Sequence, residues 1–156
     1  MTLKSTYNEL KKHLSAKYRV AGDGAEIMGI KNRINCRAVA LTFLHQAIKE
    51  YKLKHDVLCG ISCREAIIHM LYEDAALTIS DLNQITPSLA LKILDPRLAQ
   101  IDASISPDFQ KAAEGMIQWF VENREWISRS HEAQADLPEL QWSDLPRELF
   151  ALNLNS

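Results

Sequence analysis

Leu3, Tyr7, Leu10 and Leu14 recur at steps of four, three and four, which places apolar side chains along one face of an α-helix. The pattern predicts a first helix ending before the stretch AGDG at 21–24, where Gly22 and Gly24 flank Asp23 and favour a turn. A second periodic run extends from about Asn32 to Tyr51. Its apolar stripe is Cys36, Ala40, Phe43, Leu44, Ala47 and Tyr51, with Thr42, His45 and Lys49 expected to face away from it. A third helix is predicted to begin at Cys63, with Cys63, Ala66, Ile67, Met70 and Leu71 on its core face. Two shorter pieces follow, SDLNQI at 80–85 and PSLALKIL at 87–94, with Ser80 as a cap and Pro87 in a first turn.

The stretch 104–130, SISPDFQKAAEGMIQWFVENREWISRS, carries the clearest helical pattern. Ser106 is suited to cap it, Pro107 loses nothing where the amide is unpaired anyway, and Asp108 complements the positive end of the dipole. Phe109, Ala113, Met116, Ile117, Phe120 and Ile127 form its core stripe. Strand signals are confined to YRV at 18–20 and DVLCGI at 56–61. The expected fold is therefore all-α: a single compact domain of five to seven helices with little or no sheet. Residues 130–156 read as an acidic tail packed on that domain. The tail repeats itself once, DLPEL at 136 and DLPREL at 144 with Trp142 between, and Pro138 and Pro146 argue against a long continuous helix there.

Composition refines this picture. With 156 residues, 47% hydrophobic and 24% charged, the chain has the balance of a globular domain rather than a disordered one. It contains no apolar run of the roughly 20 residues that a membrane span needs, and no signal-peptide core opens it. Three cysteines, an odd number without small-scaffold spacing, suggest reduced thiols and a cytoplasmic setting. The net charge of −2 conceals an asymmetry. Residues 1–56 hold 11 basic against 5 acidic side chains, and residues 57–156 hold 7 against 15. Such polarity suits an anion-binding end, an acidic end that docks a basic partner, or two halves that attract each other within the fold.

The stretch CGISCREAIIHMLYEDA at 59–75 resembles a reactive centre in composition only. Ser62 followed by Glu65 is a capping box, each side chain meeting the other's backbone amide, which gives the serine a structural task. No glycine closes a Gly-x-Ser-x-Gly elbow, and Cys59 and Cys63 are one residue too far apart for a redox or zinc pair. Glu65, His69 and Glu73 stand at i, i+4 and i+8 and share a face, but no second segment repeats the motif to complete a metal site. The expectation is no cofactor and no metal, with these three residues as the weakest alternative, a metal-dependent enzyme. Lys31, Arg33 and Arg37 in GIKNRINCR form the candidate anion-binding set of a second alternative, a nucleic-acid or phospho-ligand binder. The glycines of a phosphate loop are missing around them.

All three tryptophans, Trp119, Trp126 and Trp142, lie in the C-terminal third. Trp119 and Trp126 are seven apart and form a stripe beside the Phe120 and Ile127 face, so they require a covering surface of their own. That cover is the folded-back tail or another protein, since tryptophan is a frequent interface anchor. The functional expectation is a non-enzymatic protein-interaction module: an adaptor, inhibitor or neutralising partner. Its contact surface lies at Trp119, Trp126 and Trp142, and its partner is a protein that is basic at the contact.

Overall fold

The computed structural model describes residues 2–18, 25–55, 61–101, 106–113 and 140–150. Helices take 81% of these residues and no strand occurs among them, which places the chain in the all-α class that the periodicity predicts. Helix α1 spans Leu3–Lys17. Thr2 caps it by accepting from the Ser5 amide at 3.1 Å, and Leu3, Tyr7, Leu10 and Leu14 form its buried face, as their spacing requires. Tyr18 serves as its C-cap; the rest of the YRV strand candidate, the AGDG turn and residues 56–60 of DVLCGI lie outside the described residues.

Helix α2 spans Ala25–His55, seven residues longer at its start than the pattern indicates. One glycine, Gly29, costs about 1 kcal/mol in a helix interior and is not sufficient to stop it. This helix is the centre of the fold, with α1 on one side and later helices on another. Its buried arc is consequently wider than a single stripe. Thr42 and His45, expected to face away, are buried, whereas Lys49 is exposed. Thr42 satisfies its hydroxyl locally by donating to the Ala38 carbonyl at 2.6 Å.

Helix α3, Cys63–Ala75, starts where the sequence places it. Ser62 Oγ accepts from the Glu65 amide at 3.0 Å while Glu65 accepts from the Ser62 amide at 2.6 Å. Replacing Ser62 with alanine is expected to cost about 0.5–2 kcal/mol in urea unfolding, since a cap contributes in that range. An unchanged midpoint in Ser62→Ala would remove the cap from the account.

Helix α4, Ile79–Gln84, is capped by Thr78 and not by Ser80. The reason is the residue three further on: Thr78 finds Asp81, which completes a capping box, whereas Ser80 would find Asn83. Helix α5, Pro87–Leu98, has Thr86 as its cap and Pro87 in its first turn, and runs past Pro96, whose missing amide falls close to the end. Arg97 binds Asp74 at 2.7 Å and Glu73 at 2.9 Å, fixing α5 to α3. Helix α6 is Pro107–Ala112, with Ala113 as its C-cap, so the run expected to continue through Ile127 is interrupted there; residues 114–139 lie outside the described residues.

Within α6, Phe109 is fully buried, its ring edge-on to Tyr7 at 5.7 Å and to Phe43 at 6.1 Å. The last described residues form a 3-10 turn at Trp142–Asp144 and a single helical turn, α7, at Arg147–Phe150. One contiguous cluster of buried apolar residues includes members of α1 to α6 together with Leu140, Leu149 and Phe150.

Candidate functional site

Residues 140–150 lie as a strap across the helices, and the side chains that hold it down come from far apart in the sequence. Asp144 is fully buried at its centre. Its carboxylate accepts from Arg37 Nη1 at 3.2 Å, from the Tyr18 hydroxyl at 2.7 and 2.9 Å, and from the Gln141 amide at 3.2 Å, and it also pairs with Lys17 Nζ. The Arg37 side chain is equally buried. Burial lowers the Arg37 guanidinium from its ordinary range, and Asp144 and Tyr18 oppose that effect. Burial, followed by the Asp144 carboxylate, raises the Tyr18 hydroxyl and keeps it a proton donor. A carboxylate with this many donors is satisfied, and the attraction between the basic N-terminal part and the acidic C-terminal part is realised here as an internal contact.

Other contacts extend along the strap. His13 Nε2 donates to the Ser143 carbonyl at 3.1 Å, and Lys17 Nζ donates to Ser143 Oγ at 2.6 Å. Beyond them, His45 Nε2 donates to the Leu149 carbonyl at 3.1 Å with its ring edge-on to Phe150. Burial pushes the His45 imidazole below the ordinary histidine value; the Leu149 carbonyl opposes this and Lys49 and Lys52 reinforce it. The unfolded chain therefore binds more protons than the folded one between the lowered value and about 6.5. The contribution from neutral His45 is complete above about pH 6.5 and is lost as pH falls through the folded value. Urea midpoints measured from pH 7.5 to 5.5 are expected to drop less in His45→Gln than in the parent; parallel curves would contradict this assignment.

The strap also forms one wall of a groove of about 380 Å³. Cys63, Ile67, Ile68 and Leu71 of α3 supply a second wall, and Leu82 and Ile85 close it at the α4 end. Trp142, Leu145 and Phe150 come from the strap. The Trp142 indole N–H donates to the Ile85 carbonyl at 3.3 Å while 43% of the residue remains exposed. A large aromatic surface is thus held in a fixed orientation at the edge of an apolar cleft.

The sequence-derived candidates fare differently. Trp142 is at the groove; Trp119 and Trp126 lie outside the described residues. Lys31 and Arg33 are half-buried on α2, and Arg37, grouped with them as a basic face, is instead the internal partner of Asp144. Glu65 and Glu73 do not act together with His69: Glu65 is held by the Ser62 amide, and Glu73 by Arg97 and the Tyr51 hydroxyl. Among the described residues no three His, Cys, Asp or Glu side chains converge where a metal ion could sit. Burial raises the Cys36 thiol to about 11 and also raises that of Cys63, so neither is a thiolate near neutral pH. Among the described residues, no helix is long and apolar enough to cross a membrane. Compared with family models, with curated proteins and with solved structures, the chain matches none.

Sequence reasoning missed Asp144, Tyr18 and Lys17 as a group. A signal was present for Arg37: it stands three residues after Ile34 and four before Leu41, both core positions, so a charge there needs an internal partner.

Proposed function

We propose that this chain is a small cytoplasmic, non-enzymatic protein-interaction module, an adaptor, inhibitor or neutralising partner, whose contact surface is centred on the Trp142 groove. The observation that carries this reading is the half-exposed Trp142 indole, pinned by its hydrogen bond to Ile85 at the lip of a preformed apolar cleft. Rigid aromatic groups beside a pocket are the usual hot spots of interfaces, because they bury large area with little loss of side-chain freedom. The candidate nucleophiles support the same reading, since Ser62 is engaged as a cap and the Cys63 thiol is held protonated.

The excess of acidic groups in residues 57–156 favours a partner that is basic around the contact. Asp144 itself is excluded from that rim, because it faces inward. The test is the affinity of a protein that co-purifies with the chain, measured for the parent and for Trp142→Ala, Trp119→Ala and Trp126→Ala, each first shown to be folded. Trp142→Ala is expected to lose at least about 2 kcal/mol, roughly thirtyfold in Kd. A partner that binds Trp142→Ala as tightly as the parent would move the contact surface elsewhere.

A further inference from the structure

We propose that the groove between α3, the end of α4 and the C-terminal strap is also a small-molecule site, and that its ligand is a carboxylate bearing an apolar chain. Its volume of about 380 Å³ lies within the range of ligand clefts, about 300–1,000 Å³. The interior is aliphatic and aromatic: Ile67, Ile68, Leu71, Leu82, Leu145 and Phe150 would all face the chain of the ligand.

Among the described lining residues the one charged side chain is Arg64, in the first turn of α3. Arg64 is exposed and makes no hydrogen bond or ion pair with another described residue. The adjacent acid, Glu65, is turned to the Ser62 amide. A guanidinium offers a planar pair of donors that matches a carboxylate, and the positive end of the α3 dipole lies at the same place. A cationic head group would be repelled at Arg64 itself, and a neutral apolar molecule would gain nothing from its donors. The chemistry therefore selects an amphipathic monoanion, its head at Arg64 and its chain in the cleft.

This inference goes beyond the protein-partner reading and is independent of it, because it is tested on the isolated full chain with free carboxylates. Calorimetric titration would compare butanoate, hexanoate, octanoate and decanoate, each below its micellar concentration, with 1-octanol. The expected result is saturable one-to-one binding in which each added methylene tightens Kd about fourfold until the groove is full, after which the gain stops. Octanoate should bind about three- to fivefold more tightly than 1-octanol, and Arg64→Gln, a change at an exposed position, should erase that preference. Ile68→Trp should fill the cleft and weaken both ligands. Absence of saturable binding, equal affinity for octanoate and 1-octanol, an unchanged preference in Arg64→Gln, or full affinity in Ile68→Trp would each overturn the proposal.

Discussion

Replacing Asp144 with alanine is expected to destabilise the fold by about 3–5 kcal/mol, among the largest effects available to a single polar substitution here. The substitution leaves the Arg37 guanidinium, whose side chain is fully buried, without its carboxylate, and the Tyr18 hydroxyl and Gln141 amide without their acceptor. The magnitude reflects the cost of an uncompensated buried charge more than the net value of the pair. The paired substitution Arg37→Met with Asp144→Leu should therefore recover the part of the loss due to the stranded charge, since apolar groups of similar size can replace a buried ion pair at little cost, while the Tyr18 hydroxyl and Gln141 amide remain without their acceptor. Urea unfolding of the two single variants and the double variant gives the coupling directly. A loss below about 0.5 kcal/mol in Asp144→Ala, the range of ordinary surface substitutions, would mean that the strap is not anchored through this carboxylate.

Phe109→Ala should cost a comparable amount, about 3–5 kcal/mol, for a different reason. Phe109 is the buried anchor of the short helix α6 and fills the space between Tyr7 of α1 and Phe43 of α2. Truncation loses the transfer energy of a whole aromatic ring, leaves a cavity that two rigid rings cannot close, and removes two edge-to-face contacts. Phe109→Leu, which retains much of the volume, should lose clearly less. If both variants unfold at the parental urea concentration, Phe109 does not occupy the α1–α2 interface.

Local signals in the sequence carried the helices well, and long-range pairing was harder to read. The α1 stripe, the Ser62–Glu65 box and Pro87 in a first turn are short-range features whose physics is contained within four residues, and each is found in place. Ser80 stands closer to the periodic run, but Thr78 is the cap because, of the two, only Thr78 has an acid three residues later. The burial of Thr42 and His45 depends on what packs against α2 from more than one side, which its own pattern does not record.

For the site, Trp142 as an aromatic candidate and the opposite charges of the two parts were legible in the sequence. The groove was not. Its walls come from α3, the end of α4 and the strap, and the contacts that bring the strap there are long-range: Asp144 meets Arg37, 107 residues away, and Trp142 meets Ile85, 57 residues away. No periodicity within one segment encodes such a meeting.

In the proposed function the strap is both part of the fold and the edge of the contact surface. Hydrogen exchange followed on the free chain and on its complex with a co-purifying protein tests this most directly. The account predicts that the amides of 140–150 and of the first two turns of α3 become more protected in the complex, with α1 unchanged. Added protection confined to other parts of the chain, with both of those segments exchanging as in the free protein, would contradict it.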